Sequence, residues 1–535
     1  MKLSFYGADQ CVTGSCHCLE VNGRRILVDC GLQQGRDEVS NDAFPFAAND
    51  IDFVLVTHAH IDHTGRIPML VKQGFQGRIV ATRLTADLMD IMLQDSAHIQ
   101  ESDAEWKNRK AERSGAPRVE PLYTIEDAQR VSQYMTTCEY NQPLDLCEGV
   151  RVEFVDAGHL LGSASILVTA TEGGITKQIV FSGDIGNVDQ PIIRDPTYLT
   201  GADYVVMEST YGDRNHEPPE SYTEALAQLI DETFAQGGNV IIPSFAVGRT
   251  QEMLYFIREI KEKGLVKGHG DFPVYVDSPL AIEATGIFLQ CDTEYVDEEM
   301  QRLIRAGVNP IVFPGLALSV SQEESRAINE DKTPKVIISA SGMCDAGRVR
   351  HHLKHNLWRP ESMVLFVGYQ SEGTLGRILV DGADEVKLFN ESIRVRAEID
   401  VLPGVSGHAD KAGLIAWLGG FREKPKMVFV NHGDPDAADS FTACLSGELG
   451  YQAAAPYSGT SFDLLRGEFV RVTQGRPIEK RPGSGRARTV SAAFTRLVAA
   501  AERLLRVSRS MEGRPNKELA SYADQITKMA DKMEK

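Results

Sequence analysis

Runs of four to seven apolar or alternating residues, broken by turns, dominate the first two hundred positions. Arg24–Asp29, Phe53–His58, Arg151–Val155, Ser165–Thr169, Gln178–Ser182 and Tyr204–Glu208 read as short strands. Several end on a polar residue able to act: Asp29, His58, Asp184 just past its strand, and Glu208. A helical stretch from about Thr85 to Arg113 interrupts the series. From about residue 210 the rhythm changes. Strand-like segments Asn239–Pro243, Pro273–Asp277, Lys335–Ser339 and Met363–Gly368 alternate with helical ones such as Thr250–Lys263, predicting a parallel sheet flanked by helices. Arg394–Val401 and Lys426–Val430 then resume the earlier style, with His408 and His432 just after them. The economical reading is one α/β domain, residues 1–209 and 394–475, interrupted by an inserted α/β domain over 210–393. A basic, Gly/Pro-rich connector, Arg476 to Arg488, leads into a helical extension over 476–535. Its two helix-like runs are Thr489–Ser508 and Lys517–Glu534. Leu497, Ala500, Ala501, Leu504 and Leu505 fall at helical spacing and suggest a face for homo-oligomerisation or for packing on the chain itself.

Composition narrows the class. With 535 residues, 42% hydrophobic and 24% charged, the chain is globular and long enough for two or three domains. No apolar run has the roughly 18–20 residues of a membrane span, so a soluble, cytoplasmic protein is expected. The net charge of −19 argues against coating nucleic acid by bulk electrostatics, yet leaves room for a nuclease whose metal site supplies local positive charge. Nine cysteines include a Cys16-His17-Cys18 triplet, but no CxxC pair accompanies it, and buried thiols are the expectation.

The chemistry is concentrated in His58-Ala59-His60-Ile61-Asp62-His63, which packs four candidate ligands into six residues. On an extended strand, His58 and His60 point the same way and can meet one ion. The chain then turns into a short helix near Thr64–Leu70, directing Asp62 and His63 toward a second. Imidazole with carboxylate suits Zn²⁺, and Mn²⁺ or Fe²⁺ also fit.

This run resembles the HxHxDH motif of the metallo-β-lactamase fold, an αββα sandwich. Leu27-Val28-Asp29-Cys30-Gly31, Asp156-Ala157-Gly158-His159 and Phe181-Ser182-Gly183-Asp184 follow in that superfamily's order. The resemblance implies that His58, His60 and His159 hold one metal, that Asp62, His63 and His432 hold the other, and that Asp184 bridges them, with Asp29 orienting the cluster. Val206-Met207-Glu208-Ser209-Thr210, Gly404-Val405-Ser406-Gly407-His408 and Val430-Asn431-His432 resemble motifs A, B and C of the β-CASP nucleases, with the insertion as their cap domain. That group includes RNase J and the nuclease of mRNA 3′-end cleavage, and the likeness, closest to its compact bacterial members, spans about residues 1–470.

Histidine at motif C, His432, implies RNA as substrate; a DNA nuclease of the same family, or a small-molecule hydrolase of the same fold, is the alternative. The expected chemistry is attack of a metal hydroxide on phosphorus in single-stranded RNA, endonucleolytic or from a 5′ end. Two Zn²⁺ (or Mn²⁺), Asp62 and Asp184 form the catalytic centre. His408 contacts the scissile phosphate or protonates the leaving oxygen, kept charged by Glu208. In the cap, Ser341 and Gly342 follow a strand, and Arg249 opens a helix; all three are candidates for binding phosphate. The basic run Arg348–His355 could line an RNA channel or form a solvated helix face.

Overall fold

The computed structural model describes residues 1–34, 41–114, 117–217, 219–371 and 373–475, and in the C-terminal stretch 501, 504–505, 507–509, 511 and 516–533. The first six strands are β1 (Lys2–Gly7), β2 (Cys16–Val21), β3 (Arg24–Val28), β4 (Phe53–Leu55), β5 (Arg78–Thr82) and β6 (Met135–Cys138). They are followed by β7 (Leu144–Cys147), β8 (Val150–Asp156), β9 (Ala164–Glu172), β10 (Ile175–Phe181) and β11 (Tyr204–Met207). The insertion supplies β12 (Val240–Pro243), β13 (Val274–Val276), β14 (Leu316–Leu318), β15 (Val336–Ser339), β16 (Met363–Phe366), a hairpin of β17 (Glu385–Leu388) and β18 (Glu391–Arg394), and β19 (Glu398–Val401). The chain returns through β20 (Met427–Val430), β21 (Ala453–Ala454), β22 (Ser461–Asp463) and β23 (Glu468–Arg471).

Among the described residues these strands form two facing sheets, β23-β22-β1-β2-β3-β4-β5-β6 and β21-β20-β11-β10-β9-β8-β7, plus a third, β14-β13-β15-β12-β16-β19. Alternating strand residues decide the layering. Phe5, Leu19, Ile26 and Val28 of the first sheet meet Val152, Phe154, Ile166, Phe181 and Phe429 of the second in one buried layer. Helices cover both outer faces. Leu84, Leu88 and Leu93 of the long helix Arg83–Ser114 pack on the first sheet's side, and Leu414, Trp417 and Phe441 on the second's. This is the expected αββα sandwich.

The third sheet is wholly parallel, and its interior strands are buried on both faces, as the near-continuous runs Val240-Ile241-Ile242 and Val336-Ile337-Ile338 require. β19, assigned from sequence to the returning half of the sandwich, pairs in parallel with β16 at the edge of the third sheet. All four of its residues are exposed or half-buried, as on an edge strand, while Glu398-Ile399-Asp400-Val401 alternates polar and apolar residues as the sandwich strands do.

Residues 478–535 form a unit of their own. Its helix Asn516–Met533 matches the second expected tail run. The first, 489–508, together with the connector Arg476–Arg488, falls almost wholly outside the described residues. No helix among the described residues is long and apolar enough to cross a membrane.

Candidate metal centre and cleft

The strand termini named from sequence all open at one end of the sandwich. His58 and His60 do not sit on a continuing strand, however. β4 ends at Leu55, the Val56 N–H makes a last bond to the Val80 carbonyl at 2.9 Å, and the Thr57 N–H is diverted to Asp29 Oδ1 at 2.8 Å, so residues 57–60 leave the ladder. His60 precedes a one-turn helix, Ile61–Thr64, that carries Asp62 and His63. The two imidazoles therefore meet from an irregular segment held by Asp29.

Two groups of side chains converge. His58, His60, His159 and Asp184 form one, and Asp62, His63 and His432 the other; within each, the candidate ligand atoms lie within 4.8 Å of one another. Asp184 stands between them. Its Oδ2 is 3.4 Å from His58 Nε2 and 3.6 Å from His159 Nε2, while Oδ1 is 3.3 Å from His63 Nε2.

The outer ring nitrogens are tied down. His63 Nδ1 meets Asp29 Oδ2 at 2.7 Å, His159 Nδ1 the Gly407 carbonyl at 2.8 Å, His58 Nδ1 the Thr57 hydroxyl at 3.1 Å and His432 Nδ1 the Thr210 hydroxyl at 3.2 Å. Each leaves Nε2 facing inward. His60 is the exception and presents Nδ1, 3.0 Å from His58 Nε2 and 3.3 Å from His159 Nε2.

Nitrogens so placed suit a cation. Ligand nitrogens about 2.0 Å from a tetrahedral ion stand roughly 3.3 Å apart, the spacing found here. Buried Asp184 Oδ1 also has no hydrogen-bond donor. Burial raises the Asp184 carboxyl pKa, but the imidazoles of His432, His63 and His58 outweigh it and hold it well below the usual carboxylate range. The donor set of imidazoles and carboxylates fits Zn²⁺ or Mn²⁺.

Glu208 is no surface acid. It is buried at the end of β11, accepts the Ile185 N–H at 2.5 Å, and lies 3.1 Å from His408 Nδ1. His408 keeps a fifth of its side chain exposed toward the cleft, 3.9 Å from Asp184. Burial pulls the His408 pKa down, but the carboxylates of Glu208 and Asp184 overcome this and raise it to about 9.

The centre opens into a cleft of about 1370 Å³ between the sandwich and the inserted domain. Arg249 lines it, though buried and ion-paired with Glu252 three residues on. Ser341 lines it too, but its N–H and hydroxyl are spent on Ala346 within its own loop, and the following helix begins only at Val349. Gly342 packs beneath Phe245 and is absent from the cleft lining. The strand-to-helix anion site expected at Ser341–Gly342 is therefore not formed in that way.

The basic run splits. His352 is fully buried against Asp277 at 2.6 Å, and Arg348 bonds the same carboxylate at 2.7 Å, whereas His351 and His355 face the cleft. Cys16 and Cys18 are buried strand thiols, as expected. Sequence reasoning missed Thr57, Thr210 and the Gly407 carbonyl, which fix rings. It also missed the Tyr369 hydroxyl, which donates to Asp434 and ties the inserted domain to the His432 loop.

Comparison with known proteins agrees with this geometry. Residues 24–235 match the beta-lactamase superfamily domain, 250–379 the Beta-Casp domain, and 392–456 the Zn-dependent metallo-hydrolase RNA specificity domain. The chain is 37% identical to Ribonuclease TTHA0252 of Thermus thermophilus over 439 residues, 82% of this chain and 94% of that protein. It is 31% identical to an RNase J-like protein of Methanocaldococcus jannaschii, covering 86% of this chain and 98% of the relative. With transcription termination factor FttA of Methanosarcina mazei the identity is 32%, over 82% of this chain and 67% of the relative. The fold and site define a metallo-hydrolase of the metallo-β-lactamase class. Within it, the chain belongs to the β-CASP ribonucleases.

Proposed function

We propose that this chain cleaves single-stranded RNA at a two-zinc centre. The observation that carries the reading is Asp184, whose two carboxylate oxygens each face one group of converging imidazoles. His58, His60 and His159 would hold one ion, Asp62, His63 and His432 the other, with Asp184 shared and Asp29 fixing His63. When bound, the ions supply Lewis acidity and lower the pKa of water toward neutrality.

The chain's own residues do the rest. Asp62 and Asp184 set the charge of the centre. Glu208 keeps His408 an imidazolium, which faces the cleft and is placed to contact the scissile phosphate and give its proton to the leaving 3′-oxygen. Arg249, its charge offset by Glu252, is the candidate in the cleft wall for donating N–H groups to the phosphate backbone. RNA rather than DNA or a small ester is supported by the match to the RNA specificity domain, by the relatives named as ribonucleases, and by an open cleft suited to a polymer. Self-association through the C-terminal helix is supported by Tyr522, Ile526 and Met529, exposed at helical spacing.

The test is metal analysis by mass spectrometry together with hydrolysis of single-stranded RNA, single-stranded DNA and a lactam. Two zinc per chain and cleavage of RNA are expected. Turnover of the lactam with intact RNA would overturn the proposal. Substrates labelled at the 5′ or 3′ end, bearing a 5′-phosphate, triphosphate or hydroxyl, separate internal cutting from 5′-exonucleolytic cutting.

A further inference from the structure

Phe245 stands at the mouth of the metal centre with 38% of its surface exposed, its ring centroid 6.5 Å from that of His60. Scattered exposed apolar residues are ordinary on a protein surface. What surrounds this one is not.

Its backbone is pinned. The Phe245 carbonyl accepts the Thr250 N–H at 3.2 Å, the Thr250 hydroxyl at 2.7 Å and the Ser244 hydroxyl at 3.2 Å. Its ring rests on residues without side chains. A Cβ at Gly342 would come within 3.1 Å of the ring and 3.0 Å of the Phe245 nitrogen, and one at Gly368 within 3.9 Å of the ring. Those two glycines are themselves joined, because the Gln370 side-chain amide donates to both carbonyls at 3.1 Å. The result is a flat apolar surface, backed on one side, fixed in position and open to the cleft beside the converging imidazoles.

We propose that Phe245 is the stacking platform for the nucleobase next to the scissile phosphate of single-stranded RNA, with Gly342 and Gly368 as its bed. This rests on the RNA-cleaving function proposed above. Every base has a π-face, so stacking on one aromatic ring holds a strand in place without selecting sequence. A phosphate bound at the metals lies one ribose away from its base, and an exposed ring adjoining His60 is where that base arrives. An apolar ring beside a charged centre gains nothing from water and supplies the contact that charge alone cannot.

The experiment uses the full-length, metal-loaded protein and a short RNA, intact or with a single abasic ribose moved position by position along it; kcat, KM and metal content are measured for wild type, Phe245→Ala and Phe245→Trp. For the wild type, removing the base at one position beside the cut is expected to lower kcat/KM about tenfold, mainly through KM. Phe245→Ala should lose the same factor on intact RNA, lose nothing more on the abasic substrate, and keep its metal. Phe245→Trp should recover most of the loss. If Phe245→Ala cleaves intact RNA as well as wild type, or its defect is undiminished on every abasic substrate, the platform is wrong while RNA cleavage stands. If the wild type leaves all RNA uncut, the functional reading fails and the platform falls with it.

Discussion

Asp29 Oδ2 lies 2.7 Å from His63 Nδ1, both side chains buried, and the same carboxylate accepts the Thr57 N–H at 2.8 Å and hydroxyl at 2.9 Å. One acid thus fixes an imidazole and pulls the His58–His63 segment off the strand. Partners of this kind set ring orientation and tautomer. Replacing Asp29 with Ala should weaken metal binding about 10–100-fold, read by competition with a chromogenic chelator. Unchanged affinity would show that His63 needs no such support.

Asp184 faces both groups of imidazoles, so its loss should not spare either. Asp184→Ala is expected to bind less than one metal ion per chain and to leave RNA uncut. In the wild type, removing metal with a chelator should lower the melting temperature, because the buried carboxylates and imidazoles then lose the cation that holds them together. A variant retaining two tightly bound ions would refute the shared role.

The two converging groups were legible because their side chains are chemically distinctive and follow strand ends in a fixed order. His58, His60 and His159 against Asp62, His63 and His432 follow from motif likeness, and the fold brings each set together. Three features were not legible. β19 has the alternation of a sandwich strand, and only its pairing with β16 places it in the inserted domain. The small residues at Ser341–Gly342 read as an anion loop because a missing side chain looks the same whether it admits a phosphate or a phenyl ring. The Gly407 carbonyl that orients His159 is a backbone atom 248 positions away, and no residue type announces it.

Asp277 tests the inserted domain's own stability. Its fully buried carboxylate takes His352 Nε2 at 2.6 Å, the Ser325 hydroxyl at 2.6 Å and Arg348 at 2.7 Å. Burial raises its pKa, but these bonds, that from His352 foremost, win and hold it at about 2. The folded value is therefore below the unfolded one of about 3.9. Its stabilisation is complete above about pH 4 and is lost as the pH falls toward 2. Asp277→Ala leaves His352 and Arg348 without their acceptor and should cost about 3 kcal/mol in denaturant unfolding at neutral pH. A loss under about 1 kcal/mol would mean the cluster relaxes or admits water.

The His408–Glu208 pair makes the sharpest statement about pH. His408 Nδ1 sits 3.1 and 3.2 Å from the two Glu208 oxygens, and its pKa is raised to about 9. A residue that acts as the imidazolium works while protonated, so kcat should hold through neutrality and decline as the pH rises through about 9. Removing the negative charge with Glu208→Gln favours the neutral ring, so that alkaline limb must move to lower pH. His408→Ala should keep its metal, lose about 10²–10⁴-fold in kcat, and lose the limb altogether. Metal content and kcat/KM across pH 6–10 for the three proteins decide the matter. A limb that stays in place in Glu208→Gln belongs to another group, and normal cleavage by His408→Ala would remove the residue from the chemistry.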